Sequence, residues 1–275
     1  MKNKIEPKIE IVVAGSLTSQ NEYQLISQWL DSQFYHSLGI TVFFEQMQTV
    51  DVQSHLLRLY DSKTPDVLLG VAVVFAGGTC FWLPAETSMA RLLCTAILGF
   101  EPRRIVTTSI GRDLLRSAAV EQALLVRDYN QWIMVCTRRF PKASGRMARP
   151  SDITRLVEYQ LQYNEERSVE ETSDWEGLIA QEKVAVYEAD GQIVSIVRFG
   201  IETSRLVSIG GTYTFPDYRR QGFAERVIEF AVDRIVATGR TAQLIVDIDN
   251  TPAVELYRQM GFECVGSSYV CYPEY

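Results

Sequence analysis

The sequence predicts an α/β protein built as two lobes, and three observations lead there. Strand-like and helix-like patterns alternate through both halves. The segment Pro141-Lys-Ala-Ser-Gly145 has linker composition. At 275 residues the chain is long for one compact core and comfortable for two modest ones. The expected lobes are residues 1–140 and 145–275. A composition that is 47% hydrophobic and 22% charged suits a folded chain rather than a disordered one.

In the first lobe, Ile9 to Ala14 is a strand candidate. Asn21 can cap a helix carrying Tyr23, Ile26, Trp29, Leu30 and Phe34 on one side. Ile40 to Phe44 then reads as a strand and Val52 to Tyr60 as a helix. Val67 to Phe75, the Gly77-Gly78 turn and Thr79 to Leu83 read as a hairpin. A helix over Glu86 to Leu98 is closed by Gly99. Ile105 to Thr108 and Trp132 to Thr137 are further strand candidates.

The second lobe opens with a helix after Pro150-Ser-Asp152, with Ile153, Leu156, Val157 and Leu161 at helical spacing. Val184 to Ala189 and Ile193 to Phe199 flank Asp190-Gly191, a strong hairpin pattern. Leu206 to Thr214 is the next strand. From Gly222 to Val236 apolar residues fall in two helical rows, opposite a wet face of Glu225, Arg226, Glu229, Asp233 and Arg234. Leu244 to Ile248 is a continuous apolar run, the mark of a strand covered on both faces. A short helix near Pro252 and a final strand from Phe262 complete the order.

Several classes of function are disfavoured. The formal charge of −7 supplies no basic footprint for nucleic acid. The longest apolar stretch, Val67 to Ala76, is broken by Gly70 and too short for a membrane span. No signal-peptide hydrophobic region follows Met1-Lys-Asn-Lys-Ile-Glu-Pro7, so the cytoplasm is the expected location. The five cysteines are odd in number and scattered, which reads as reduced thiols. With only two histidines, His36 and His55, and no CxxC, no metal site is expected.

The chemistry concentrates in two segments. Arg219-Arg-Gln-Gly-Phe-Ala224 is a cationic turn that opens directly onto a helix. The free N–H groups and positive dipole end of such a helix suit a phosphate. Gly222 lets an anion approach the backbone, Ala224 keeps the helix close, and Arg219 and Arg220 can pair with phosphate oxygens. The later segment runs from Asn250, a candidate N-cap, through Leu256, Tyr257 and Met260 to Gly261-Phe262.

Taken together, these segments resemble the GNAT acyltransferase superfamily. Gly210-Gly-Thr-Tyr-Thr-Phe-Pro-Asp-Tyr-Arg-Arg-Gln-Gly-Phe-Ala224 is similar to its coenzyme A pyrophosphate motif, strand through helix. Asn250-x-x-Ala253-x-x-Leu256-Tyr257-x-x-x-Gly261-Phe262 is similar to its later motif. The match covers roughly residues 145 to 275. It implies a GNAT fold, a mixed and mostly antiparallel sheet with flanking helices, preceded by a second α/β lobe. The first half more loosely resembles the degenerate leading lobe of two-lobed GNAT proteins. Gly77-Gly78 and Gly111-Arg112 there lack the rest of the phosphate motif, which leaves packing, dimerisation or shaping of the acceptor cleft as roles for that half.

The resemblance also implies a reaction and its parts. Acetyl-CoA would be the co-substrate, without a metal, and an amine on a small molecule or peptide would be the acceptor. Backbone groups of Gly211, Thr212, Tyr213 and Thr214 would meet the pantetheine arm and acyl carbonyl. Arg219 would flank the pyrophosphate, held by backbone amides of Arg220, Gln221, Gly222, Phe223 and Ala224. Asn250 would touch the pantetheine, and Tyr257 would face the thioester sulfur as the catalytic residue. Glu165, Glu166, Glu202 or water would serve as general base. A non-catalytic acyl-CoA sensor is the alternative function.

Overall fold

The computed structural model describes residues 5–13, 20–45, 53–85, 87–122, 124–167 and 169–275. By contact clustering the chain divides into two units that are not consecutive stretches. The first is Met1–Ile133 with Ile245–Asn250 and Cys264–Tyr275, and the second is Met134–Leu244 with Thr251–Glu263. The first-half elements are β1 (Pro7–Val13), α1 (Gln20–Ser32), α2 (Leu38–Glu45), β2 (His55–Asp61), β3 (Thr64–Val74), β4 (Thr79–Pro84), α3 (Thr87–Leu98), β5 (Arg104–Thr107), α4 (Ser109–Gln122) and β6 (Leu125–Cys136). The remainder are β7 (Arg146–Met147), α5 (Ile153–Arg167), α6 (Trp175–Ala180), β8 (Val184–Ala189), β9 (Gln192–Glu202), β10 (Leu206–Thr214), α7 (Phe223–Val236), β11 (Thr241–Asp247), α8 (Thr251–Gln259) and β12 (Glu263–Glu274).

The first unit holds strands in the order β1-β2-β3-β4-β5-β12-β6. Neighbours are antiparallel from β1 to β4, β4 and β5 are parallel, and β12 returns antiparallel along β5. Side chains alternate between two cores. Leu57, Leu59 and Trp82 pack with Leu93, Ile97 and Leu115 of α3 and α4. Leu56, Val71 and Leu83 pack with Ile26, Leu30, Ile40 and Phe43 of α1 and α2. A sheet covered on both faces explains why β3 is buried without interruption from Leu68 to Val74.

That double cover also corrects two expectations. Ile40–Phe44 is helical, within α2, because Leu38, Ile40, Val42, Phe43 and Phe44 are all buried and leave no polar face to reveal the period. Gly39 sits there under the Phe81 ring, where a Cβ would come within 2.2 Å of it. The helix expected over Val52–Tyr60 is strand β2; adjacent Leu56 and Leu57 face opposite cores and imitate helical spacing. Ala14, Val52 and Glu86, at the edges of expected elements, lie outside the described residues. Asn21 falls inside α1, which begins at Gln20, rather than at its cap. The expected hairpin is β3–β4, closed by Gly78 at φ 81°. The α4 helix was not among the expected elements.

The second unit orders β11-β10-β9-β8-β7, antiparallel except for the β10–β11 pair. Helix α7 buries Val227, Ile228, Ala231, Val232 and Ile235, the centre of the two predicted rows. Helix α5 differs in its inner face: Leu156, Tyr159 and Gln160 are buried, while Val157 and Leu161 are 44% and 66% exposed. Tyrosines supply apolar area that the pattern of aliphatic residues hides. The run at β11 is covered only in part: Gln243, Leu244 and Val246 are buried, while Ile245 and Ile248 are 40% and 39% exposed. Cys80, Cys94, Cys136 and Cys271 are buried free thiols, and Cys264 is exposed.

Candidate functional site

The site in the second unit begins with a defect in the β9–β10 ladder. Gly210 pairs Arg198 and Tyr213 pairs Ile196, so three steps along β10 answer two along β9. Such a bulge leaves one residue out of the ladder and re-aims its neighbours. Gly211 takes φ 58°, and a Cβ on it would lie 2.4 Å from Arg198 Nε and 2.9 Å from the Tyr159 hydroxyl. The Tyr159 hydroxyl donates to the Gly211 carbonyl at 2.9 Å, and the buried Ser195 hydroxyl donates to the Tyr213 carbonyl at 3.1 Å. On its other edge β10 pairs with β11 only from Leu206 to Ser208. The edge from Ile209 to Thr214 is therefore parted from that ladder, beside the bulge.

Past β10 the chain makes one 3-10 turn, Pro216–Tyr218, and then enters α7. Gly222 is the N-cap at φ 77° and ψ 7°, without a side-chain cap hydrogen bond. The first helical bond is from the Arg226 amide to the Gly222 carbonyl, 3.2 Å. The amides of Phe223, Ala224 and Glu225 thus lead a helix end that no side chain caps. No atom lies within 4 Å of where a Gly222 Cβ would project. Glycine is required by the backbone angle, and the space in front of it is open to a bulky anion.

The two arginines of the turn separate in role. Arg219 folds back: its Nε donates to the Thr214 carbonyl at 2.9 Å and its Nη2 to both Glu166 oxygens at 2.6 and 2.8 Å. Its guanidinium also lies 5.2 Å from the Tyr213 ring centre. Arg220 is exposed, at φ 59°. Gln221 donates to the Asp217 carbonyl, and Phe223 stacks on Tyr187 with ring centres 5.5 Å apart.

Tyr257 lies on α8, near enough to the Thr212 side chain for it to favour the ionised phenol. Burial raises its phenol above the ordinary tyrosine value, and the Thr212 contact and the Arg167 charge only partly offset that. Burial and then the Glu166 carboxylate push Tyr213 up to about 12. Burial likewise raises Tyr159. All three stay protonated near neutral pH, and Tyr159 and Tyr213 donate, to the Gly211 carbonyl and to Gln162 and Glu166. Asn250 lies in the stretch assigned to the first unit, immediately before α8; its amide donates to the Asp247 carbonyl at 3.0 Å.

The three carboxylates considered as bases fare differently. Glu202 is clamped by Arg240 and Lys183, which hold it below the usual carboxylate range. Glu166 carries Arg219 and accepts the Tyr213 hydroxyl at 3.0 Å. Glu165 is exposed on α5. Sequence reasoning missed Tyr159 and Arg198. The 156–159–163 spacing of Leu156, Tyr159 and Tyr163 along α5 would have pointed to the former. Arg198 sits 5.9 and 5.7 Å from the Tyr159 and Tyr163 ring centres and reaches Glu171 at 3.2 Å.

Among the described residues no helix is long and apolar enough to cross a membrane, and no group of His, Cys, Asp or Glu is arranged to hold a metal ion.

Comparison with known proteins bears on the fold. Residues 153–262 match the family model described as "Acetyltransferase (GNAT) family". No curated protein matches the chain in sequence. Among solved structures, a GCN5-related N-acetyltransferase from Sphaerobacter thermophilus superposes with a TM-score of 0.61 at 14% identity, over 97% of this chain and 95% of that one. A tandem GNAT protein from the clavulanic acid biosynthesis pathway superposes with a TM-score of 0.51 at 11% identity, over 98% of both chains. A GNAT-family acetyltransferase from Colwellia psychrerythraea gives 0.52 at 13% identity, over 98% of this chain and all of that one. The fold is thus that of GNAT proteins, with a second α/β lobe ahead, an arrangement consistent with the tandem protein. Residues 153–262 are the part of the chain that matches the GNAT family model.

Proposed function

We infer that the protein transfers an acetyl group from acetyl-CoA to an amine by direct attack. The observation that carries this reading is the uncapped, open N-terminus of α7 at Gly222, set beyond the bulged end of β10 where Thr212 meets Tyr257. The α7 amides and Arg220 would hold the pyrophosphate, and the parted edge of β10 would receive the pantetheine arm. Arg219 would act behind the loop, bracing it through Thr214 and Glu166.

In the reaction the amine nitrogen bonds to the acyl carbon and the C–S bond breaks. Starting from the ammonium, one proton leaves to solvent and a second ends on sulfur. An amine of pKa ~10.4 is neutral in only about 1 part in 2,500 at pH 7, a cost of roughly 4.6 kcal/mol. Glu166 and Glu202 are both held in ion pairs, which leaves the exposed Glu165 or an ordered water as the base. At the sulfur, proton donation from an ordinary tyrosine to a thiolate of pKa ~8.5 is uphill by roughly 2 kcal/mol. The raised pKa of Tyr257 makes it more so. Tyr257 therefore serves best as a hydrogen-bond donor that steadies the departing thiolate, with the proton following later.

A steady-state assay of coenzyme A release over a panel of amines tests the reading, with Tyr257→Phe as the diagnostic variant. The expected result is a kcat lower by about 10- to 100-fold with the KM for acetyl-CoA little changed. Equal rates would remove Tyr257 from the mechanism. A melting-temperature rise with acetyl-CoA but no acylated amine would favour the sensor instead.

A further inference from the structure

A cavity of about 450 Å³ lies wholly within the first unit. Arg112 of α4, Asp128, Tyr129 and Trp132 of β6, Tyr269 of β12 and Asp249 line it. Half of these six are aromatic, and two carboxylates oppose one guanidinium. Most of the charge is already spent. Arg112 donates to Asp113 at 2.8 Å and to Asn130 at 3.2 Å. Asp128 accepts from Arg116 at 2.8 Å and from the Tyr269 hydroxyl at 2.6 Å. Asp249 differs: no side-chain hydrogen bond or ion pair engages it among the described residues.

An unspent carboxylate attracts a cation through charge, and Tyr129 and Trp132 line the same cavity, whereas the Tyr269 ring already has the Arg116 guanidinium 5.6 Å from its centre. An anion would meet the unpaired Asp249 carboxylate, while the Arg112 guanidinium is already engaged by Asp113 and Asn130. Ser109 and Ser267 also line the cavity and suit a ligand that carries hydroxyls; the buried Ser268 hydroxyl donates to the Thr107 carbonyl at 3.3 Å. Asp249 immediately precedes Asn250, the candidate pantetheine contact, so a ligand on Asp249 borders the turn that carries that residue.

We propose that this cavity binds a small hydroxylated primary amine in its ammonium form, with Asp249 as the anchoring carboxylate. Binding of amines by this cavity does not depend on the acyl-transfer reading above.

The test titrates the full-length chain with 2-amino-1,3-propanediol and ethanolamine, using glycerol and ethylene glycol as neutral counterparts. Trp132 reports occupancy through its fluorescence, and Trp132→Phe identifies its share of the signal. The amines are expected to give a saturable change that the neutral polyols do not, and Asp249→Asn is expected to weaken amine binding at least 10-fold. A melting-temperature rise with acetyl-CoA, retained in Asp249→Asn, shows that this variant is folded and that the donor site is separate. Equal responses to amine and polyol, no response to either amine, or unchanged affinity in folded Asp249→Asn would each overturn the proposal. Amine binding without any effect of acetyl-CoA would uphold the cavity and overturn acyl transfer.

Discussion

Gly222→Ala separates backbone strain from ligand contact at one atom. Gly222 holds φ 77°, where an L-residue costs about 1–2 kcal/mol. The new methyl would meet no protein atom within 4 Å, so no clash adds to that cost. For a chain of this size about 1–2 kcal/mol corresponds to a melting temperature lower by about 2–8 °C. The methyl would stand in the open space before the uncapped α7 amides, so the one thing left for it to meet is the pyrophosphate. A loss of about 10-fold in acetyl-CoA affinity, close to 1.4 kcal/mol, is therefore expected on top of the stability change. Differential scanning fluorimetry without ligand reads the first quantity, and calorimetric titration with acetyl-CoA well below the melting temperature reads the second. Unchanged affinity at the expected lower melting temperature would refute phosphate binding at this turn. An unchanged melting temperature would refute the strain argument.

Three further outcomes follow from neighbouring residues. Gly211→Ala carries the same backbone strain and also drives a Cβ to 2.4 Å from Arg198 Nε, so chemical denaturation should show it about 2–4 kcal/mol less stable. Glu166→Gln frees Arg219 from an exposed ion pair, which should cost stability under about 1 kcal/mol yet raise the KM for acetyl-CoA about 3- to 10-fold with kcat nearly constant. Glu202, held low by Arg240 and Lys183, contributes stability that is present above its unfolded value and lost as pH falls through its depressed folded value. In pH-dependent melting, Glu202→Gln should melt a few degrees below wild type at pH 7, with the gap closing toward pH 3; a constant gap would contradict the ion-pair origin.

Legibility in the sequence tracked how local each feature is. The hairpin at Asp190-Gly191 and the helix from Phe223 were readable because turn chemistry and apolar period lie within a few neighbouring residues. The segments expected from Ile40 and from Val52 misled because the first packs on, and the second as β2 lies within, a sheet buried on two faces, where polarity no longer marks the period. Within the site, Tyr159 and Arg198 were hidden because their roles depend on Gly211, 52 positions from Tyr159 and on another strand.

By itself the sequence marked out the candidate donor turn, Arg219 through Ala224, and its companion segment, Asn250 through Phe262. A phosphate-binding turn is contiguous chain, so its glycine, its cations and its helix start must be adjacent in the sequence as well. Tertiary structure decided what those residues face. It turned Arg219 back onto Glu166, spent Glu202 on two cations, and raised Tyr257 by burying it beside Thr212. It also laid the last strand, β12, along β5 in the first unit. Pairings across such separations are selected by packing and desolvation, which depend on the folded chain and leave no periodic trace along it.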